Sequence, residues 1–242
     1  MNQVIVHLKD RKSVRVFTDR QITPEEVSAI LEAAVNAPTA GNQQLYTIIN
    51  VTDPDLKAQL AESCDHQPFI ATAPLVLVFC ADCRKWYNAF AEYDCDPRKP
   101  GVGDLMLAVS DTNIAAQNAV VAAQSLGIGS CYIGDIMENA EQQRKLLSLP
   151  KYVFPAAMLV FGYPTAGQLE RPKPPRSEMR HIVHENGYRD MDAEELKQML
   201  SVKTGERSFE DWIQAFCNRK YNSDFSREMT RSVNVFLEDF KD

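Results

Sequence analysis

The sequence predicts one domain of alternating helices and strands, followed by a helical appendage. The chain has 242 residues, 45% of them hydrophobic, which is enough to bury one full core with some chain left over. From about residue 24 to residue 161, segments with helical periodicity alternate with short apolar runs that are typical of buried strands. Beyond residue 184 only helical patterns remain. The C-terminal helices are therefore expected outside the main α/β core.

Composition and charge exclude several classes of protein. A net charge of -7 argues against an extended nucleic-acid surface. The longest apolar runs, Pro74 to Ala81 and Ala156 to Phe161, are far shorter than the roughly 18 residues of a membrane span. No signal-peptide pattern opens the sequence. We expect a cytoplasmic protein.

The cysteines and histidines do not indicate a disulfide framework or a metal centre. The six cysteines are scattered, so we expect reduced thiols. Cys80 and Cys83 form a single C-x-x-C pair at the end of an apolar run, which favours two core cysteines over a zinc or redox motif. His181 and His184 stand three apart with no third ligand nearby, so we expect no metal there.

The first half of the chain predicts helices and strands in alternation. Thr23, Pro24 and Glu26 form a helix-start signal, and apolar residues at helical spacing continue it to about Asn36. The turn-rich segment 37–42 then leads into a strand over 46–51. A short helix over 53–62 and a buried strand over 74–80 follow. The segment 84–102 is aromatic and of mixed charge, and we expect it to be irregular and to act as a lid or a partner contact.

The second half begins with the longest predicted helix, over 104–126, whose many alanines allow close packing on several sides. Gly127 and Gly129 follow this helix and precede a strand over 130–133. A dinucleotide-binding fingerprint needs the opposite order, so a Rossmann fold is excluded. A helix over 138–147 and a strand over 153–161 complete the pattern, and the loop 163–175 contains four prolines. N-cap signals at Asp192 and Ser208 predict helices in the tail.

Three cations surround a hydroxyl near the N-terminus, in the run Arg11-Lys12-Ser13-Val14-Arg15. Guanidinium groups make planar, bidentate contacts to phosphate, and the ammonium and hydroxyl add further donors. The run therefore indicates a phosphate site. Taken alone, however, a basic run near an N-terminus is more often a solvated face or a frayed tail.

The motifs together resemble the FMN-dependent nitroreductase family, in the subgroup of oxygen-insensitive NADPH nitroreductases and flavin reductases. The resemblance covers nearly the whole chain. It implies an α+β fold, an α/β-like three-layer sandwich with a central mixed sheet flanked by helices, over residues 1–185, and a helical C-terminal extension over 186–242. The motifs that carry it are Arg11-x-Ser13-x-Arg15-x-Phe17, the turn 37–42, Asp111-Thr112 to Gln117-Asn118, Gly127-x-Gly129-x-x-Tyr132-Ile133-Gly134, and the basic loop at Arg171 and Lys173.

The resemblance also implies which residues contact FMN. The N-terminal cations and the late basic loop would approach its phosphate, Arg15 would reach the pyrimidine edge, and the segment 132–135 would offer backbone donors near N5 and O4. The implied contacts are Arg11, Lys12, Ser13, Arg15, Thr39, Gln67, Tyr132, Ile133, Gly134, Asp135, Arg171 and Lys173. No catalytic side chain is implied, because the flavin performs the chemistry.

Two positions depart from the subgroup's usual pattern. Asp135 stands where a second glycine is common, and its carboxylate would either disfavour the anion of the reduced flavin or point away from it. Asn42 stands where relatives carry an aromatic residue, and we expect it to face the substrate. Arg219 in the tail is the candidate contact for the 2′-phosphate of NADPH.

Family members are homodimers with the flavin at the subunit interface, so the resemblance implies a homodimer here. We expect the tail after about Asp190 to embrace the partner. Its apolar stripes would otherwise form an exposed patch outside the core. These stripes comprise Phe209, Trp212, Ile213, Phe216, Met229, Val233, Phe236 and Phe240.

The implied function is an FMN-dependent NAD(P)H oxidoreductase. It would reduce nitroaromatics, quinones or flavins in a ping-pong cycle, with hydride transfer through flavin N5. One alternative is a flavin- or nucleotide-binding protein that does not turn over NAD(P)H. Another is a related flavin chemistry such as reductive dehalogenation.

Overall fold

The computed structural model describes residues 2–241, which divide into two compact units. The first unit comprises the described chain up to Arg171 and again from Glu228 onward, and the second is Pro172–Arg227. The helices are α1 (Gln3–Asp10), α2 (Pro24–Val35), α3 (Pro54–Ser63), α4 (Pro68–Ala71), α5 (Arg84–Glu92), α6 (Val102–Ser125), α7 (Ala140–Leu147), α8 (Ala166–Glu170), α9 (Ala193–Ser201), α10 (Phe209–Lys220) and α11 (Asp224–Leu237). The strands are β1 (Tyr46–Asn50), β2 (Leu75–Asp82), β3 (Gly129–Ile133) and β4 (Val153–Gly162).

The four strands form one sheet in the order β1-β2-β4-β3, and each neighbouring pair is antiparallel. Every residue of β2 and β4 is buried, which explains why both strands read as continuous apolar runs. A parallel bridge between Ser13 and Ser130 extends the sheet beside β3. Among the described residues, the parallel component of the predicted mixed sheet is limited to this bridge.

Side chains alternate between the two faces of the sheet and supply two apolar layers. Leu77 and Phe79 pack with Ile30 of α2 and with the alanines of α6, whereas Val76 and Val78 pack on the other face. The small residues of α6 bring its backbone close to α2 and to the sheet, as the sequence predicts. The predicted α+β sandwich of helix, sheet and helix is confirmed.

Four helices of the structure, α1, α4, α5 and α8, are absent from the sequence-based expectation. The segment 84–102 is not irregular throughout, because α5 occupies its first half. Helix α1 also forms, with the Asn2 side chain accepting a hydrogen bond from the Val4 amide at 2.8 Å. The N-terminal cation run therefore follows an ordered helix and is not a frayed tail.

The end of the chain corrects the expectation that the tail stripes lie outside the core. Phe236 is only 1% exposed and packs edge-on against Phe154, with ring centroids 5.2 Å apart. Phe240 is 3% exposed and contacts the Tyr152 ring at 5.6 Å. These two aromatic side chains are part of the core of their own chain, so their burial does not require a partner subunit. In the second unit, Trp212 stacks on Phe216 with centroids 5.0 Å apart.

The cysteines are free thiols, and Cys80 and Cys83 are buried, as predicted for core residues. Over residues 2–241, none of the helices combines the length and the apolar character that crossing a membrane requires.

Candidate functional site

The N-terminal cation run is held against the end of the sheet. The Val14 amide donates to the Ser130 carbonyl at 2.9 Å, and the Thr18 amide donates to the Tyr163 carbonyl at 2.8 Å. Gly129 is needed at this crossing, because a Cβ there would lie 2.6 Å from Cγ2 of Val14. The second glycine of the Gly127-x-Gly129 motif is therefore explained by close backbone packing.

The structure brings the first cation cluster and the late basic loop together. The Lys12 ammonium donates to the carbonyl oxygens of Leu169, at 2.6 Å, and of Arg171. The Arg171 guanidinium donates in turn to the carbonyl oxygen of Ser13. These contacts join residues about 158 positions apart in the chain and so confirm the meeting of the two clusters. Lys173 is half-buried and belongs to the second unit.

One atom of this cluster favours an anionic ligand. Nε of Arg171 is buried and has no hydrogen-bond partner among the described residues. A buried guanidinium nitrogen without an acceptor is costly, so the arrangement fits an anionic ligand that supplies one. A phosphate group is the acceptor with the geometry that a guanidinium fork prefers.

An aromatic ring lies beside the same cluster. The Arg11 guanidinium carbon is 5.8 Å from the centroid of the Tyr132 ring, and the Tyr132 hydroxyl donates to Oε1 of Gln117 at 3.3 Å. Burial raises the pKa of Tyr132 to about 12, although Arg11 opposes the shift. Tyr132 is therefore a neutral hydrogen-bond donor at physiological pH.

Arg15 points towards α4 and leaves its side chain exposed. Its guanidinium carbon lies 5.9 Å from the centroid of the Phe69 ring, and its amide donates to Oε1 of Gln168 at 3.1 Å. Gln67 begins α4 and donates its side-chain amide to the Cys64 carbonyl at 2.7 Å. Arg15 and the start of α4 thus lie close together, and that Arg15 and Gln67 contact the cofactor stays a prediction.

The turn that carries Thr39 is fixed by the buried carboxylate of Asp111, a residue of the quoted motif to which the sequence assigned no role. Asp111 of α6 is 3% exposed and accepts hydrogen bonds from the Thr39 hydroxyl, from the Ala40 amide at 2.9 Å and from the Leu45 amide at 3.4 Å. The Thr39 hydroxyl also accepts from the Gln44 amide at 2.8 Å. Because its proton is used by Asp111, this hydroxyl can act towards a ligand only as an acceptor.

The same turn adopts left-handed backbone conformations, with φ of 56° at Gly41, 57° at Asn42 and 51° at Gln44. Such conformations are costly outside glycine and persist where the surrounding structure enforces them. Asn42 is exposed, which is compatible with the predicted substrate-facing position. Arg219 lies in the second unit, with its guanidinium carbon 5.2 Å from the centroid of the Phe216 ring.

The segment after β3 contains an exposed glycine and contributes to a cluster of carboxylates. Gly134 is exposed, Ile133 is buried and Asp135 is half-buried. Glu138 is 5% exposed, and its Oε1 has no hydrogen-bond partner among residues 2–241. Burial, reinforced by the charges of Asp135, Asp65 and Glu228, raises the pKa of Glu138 to about 7.

This raised pKa predicts a pH-dependent stability. A carboxyl whose pKa is higher in the folded state than in the unfolded state stabilises the fold below about pH 4.5, and that contribution is lost as the pH rises to about 7. Urea unfolding of the wild type should therefore show a decrease of order 1 kcal/mol between pH 5 and pH 7.5, relative to Glu138→Gln. Parallel pH profiles for the two proteins would contradict this.

Comparison with known proteins identifies the family. The sequence model of the nitroreductase family matches residues 8–163 of this chain. A protein of Bacillus subtilis (strain 168) named FMN reductase, NAD(P)H, is 31% identical over 98% of this chain and 92% of its own length. The oxygen-insensitive NADPH nitroreductase of Salmonella typhimurium is 36% identical over 79% of this chain and 77% of its own length. The solved structure of the NADPH:FMN oxidoreductase of Vibrio harveyi, complexed with NAD+, superposes with a TM-score of 0.81 at 26% identity and 98% coverage of both chains.

The chain belongs to the nitroreductase family. The resemblance drawn from the sequence motifs is thereby confirmed.

Proposed function

We propose that this protein is an FMN-dependent NAD(P)H oxidoreductase that reduces small aromatic or flavin acceptors. Two observations carry the proposal. Lys12 and Ser13 each make a hydrogen bond with Arg171, and the buried Nε of Arg171 has no acceptor among the described residues. Family membership supports the same function, as do the activities named for the relatives. When bound, FMN would supply the redox chemistry, which is the transfer of a hydride equivalent from NAD(P)H to an acceptor.

The chain's own residues bind and orient the cofactor. Arg11, Lys12, Ser13 and Arg171 would hold the phosphate, and Lys173 remains a prediction for the same role. Arg15 would face the pyrimidine edge, where a fixed cation stabilises negative charge. The predicted backbone contacts at 132–135 and the side-chain contacts of Thr39 and Gln67 complete the proposed site, in which Thr39 would accept a hydrogen bond.

The proposed function is tested by the cofactor and by its reduction. The purified protein should be yellow and should release about one FMN per chain on heating. Anaerobic NADPH or NADH should bleach the bound flavin, and comparison of the two rates gives the cosubstrate preference that we assign to Arg219. A colourless protein that does not bind added FMN would contradict the proposal. A yellow protein that neither nucleotide bleaches is a flavin-binding protein without NAD(P)H turnover.

Arg15→Ala should affect the flavin's electronics more than its affinity. Removal of the cation beside the pyrimidine edge is expected to lower the midpoint potential and to slow hydride transfer by more than weaker FMN binding explains. Both quantities are measured on FMN-saturated protein, by redox titration and by anaerobic stopped flow. Arg20→Ala is the control, because Arg20 is an exposed arginine that stacks on Tyr163 at 3.7 Å. An unchanged potential would place Arg15 elsewhere.

The active form is proposed to be a cytoplasmic homodimer. Exposed apolar side chains lie on the packed helices α1 and α6, and a surface of this kind is typical of an interface. These side chains are Val4, Ile5, Leu8, Val102, Met106, Leu107 and Ile114.

Ile114→Glu places a charge on this surface and should halve the mass measured by light scattering, because burying an unpaired carboxylate opposes association. Glu62→Gln, a change at an exposed carboxylate on α3, is the control. The tail is a poor target for truncation, because Phe236 and Phe240 belong to the core. An Ile114→Glu protein with the mass of two chains would rule out this surface.

A further inference from the structure

Glu138 lies between two segments that carry predicted flavin contacts. On one side, its amide donates to the carbonyl oxygen of Asp135 at 3.0 Å. On the other side, the side-chain amide of the next residue, Asn139, donates to the carbonyl oxygen of Ser63 at 3.0 Å. Ser63 is the last residue of α3, and the segment that follows it leads to Gln67. Short paths of backbone and hydrogen bonds therefore connect Glu138 to both contacts.

The Glu138 side chain is buried among negative charges. It is 5% exposed, and its Oε1 has no hydrogen-bond partner among residues 2–241. The charges that act on it come from Asp135, from Asp65 in the segment after α3 and from Glu228 of α11, and all three are carboxylates. A buried carboxylate that faces other carboxylates and lacks a donor is more stable when it holds a proton.

Other titratable groups of this cluster do not change their charge near neutral pH. Hydrogen bonds from Arg231 and Ser232 lower the pKa of Glu228 to about 2, so Glu228 stays ionised. Burial raises the pKa of the Cys64 thiol to about 12, so the thiol stays neutral. Burial and the neighbouring charges raise the pKa of Glu138 to about 7. Glu138 can therefore gain or lose a proton under physiological conditions.

We propose that Glu138 takes up one proton from the solvent when the bound cofactor is reduced, and that this proton offsets the charge that reduction adds. The proposal rests on the proposed function, in which FMN binds beside the segment 132–135. A hydride ion carries one negative charge, so its transfer to the cofactor adds one negative charge to the site. One O–H bond forms at the Glu138 carboxylate, with a proton from water or buffer. Glu138 acts through its charge alone, in a buried setting where charges interact strongly.

The pH dependence of the flavin midpoint potential tests this role, in an anaerobic titration with a chemical reductant. Above about pH 7, the wild-type potential should fall more steeply with pH than that of Glu138→Gln. One additional proton steepens the slope by about 30 mV per pH unit, because each unit is a tenfold change in proton activity and the couple transfers two electrons. Below about pH 6 the carboxyl holds its proton in both redox states, so the two slopes should agree. Equal slopes above pH 7 overturn the proposal.

Glu141→Gln is the matched control, because it removes a carboxylate three residues further along the chain. Hydrogen bonds from Arg231 lower the pKa of Glu141 to about 2, so this carboxylate stays ionised throughout the titration. Glu141→Gln should therefore shift the potential by the same amount at every pH and keep the wild-type slope. If Glu141→Gln flattens the slope as much as Glu138→Gln does, the proton is not taken up at Glu138 and the proposal fails.

Infrared difference spectroscopy detects the proton directly and needs no substitution. At about pH 8, the spectrum of reduced minus oxidised wild-type protein should gain the carbonyl stretch of a protonated carboxyl group. Labelling glutamate with 13C should shift this band, and Glu138→Gln should remove it. A spectrum without the band overturns the proposal. So does a band that the label does not move, because the proton would then be on an aspartate such as Asp135.

These outcomes are separable from those of the proposed function. A protein that binds no flavin would overturn both proposals, and its lack of colour shows this before any potential is measured. A yellow protein that neither NADPH nor NADH bleaches would overturn the oxidoreductase, while chemical reduction would still show the steeper wild-type slope. A yellow protein that NADPH bleaches, with the same slope in wild type and Glu138→Gln, would retain the oxidoreductase and overturn the role of Glu138.

Discussion

Arg171→Ala protein is expected to lose most of its FMN during purification and to rebind added FMN about 100-fold more weakly. The Arg171 guanidinium is fixed by its hydrogen bond to the Ser13 carbonyl, and its buried Nε has no hydrogen-bond partner among the described residues. Truncating one partner of a desolvated charge pair costs about 3 kcal/mol, which corresponds to this factor. The flavin to protein ratio and a titration of FMN fluorescence measure the effect.

Two further variants make this test specific. Arg171→Lys keeps the charge but loses the planar fork, so FMN affinity should fall to an intermediate value. Arg176→Ala removes an exposed arginine from the same basic segment and should change the affinity little. If Arg171→Ala and Arg176→Ala bind FMN equally well, the phosphate site lies elsewhere.

The elements that sequence reasoning predicted are those whose signals are local. The capping box of α2 forms as predicted, with the Thr23 amide donating to the Glu26 carboxylate at 2.9 Å and the Glu26 amide donating to the Thr23 hydroxyl at 3.3 Å. Strands β2 and β4 are buried along their whole length, and β2 is apolar up to its last residue, because helices cover both faces of the sheet. Such patterns depend only on near neighbours in the chain, so they can be interpreted without tertiary information.

Helix α5 was not predicted, because the side chain that caps its N-terminus lies one residue before the N-cap position. Its N-cap residue is Cys83, which makes no side-chain cap hydrogen bond. Instead, Oδ1 of Asp82, the last residue of β2, accepts from the amides of Arg84 and Lys85 at 3.0 and 3.2 Å. The usual signal places a polar residue directly at the N-cap, and here the carboxylate stands one residue earlier.

The charged side chains of the candidate site could be predicted from the residue types in the sequence. The long-range contacts that hold the site together could not. The cations at 11–15 and Arg171 carry their chemistry in their side chains, and the structure places them together. The tie from Asp111 to the turn 39–45 joins residues about 70 positions apart. In the sequence Asp111 stands in the polar run Ser110-Asp111-Thr112-Asn113 of α6, and spacing alone does not assign its carboxylate to a partner.

Asp111→Ala is expected to destabilise the protein and to disturb the flavin site at the same time. It leaves the Thr39 hydroxyl and the amides of Ala40 and Leu45 without their acceptor, at roughly 1 kcal/mol for each buried donor, or about 3 kcal/mol in all. For a chain of this length, that loss corresponds to a fall in Tm of about 6–12 °C. Thermal unfolding at saturating FMN measures it.

The accompanying loss of function separates Asp111 from an ordinary core residue. Without the carboxylate, the left-handed conformations at Gly41, Asn42 and Gln44 lose the contact that enforces them. FMN affinity should therefore fall together with stability. Ser110→Ala is the control, because Ser110 is the exposed neighbour of Asp111 on α6 and should change the free energy of unfolding by less than about 0.5 kcal/mol. An Asp111→Ala protein with the Tm and FMN affinity of Ser110→Ala would show that the carboxylate does not position the turn.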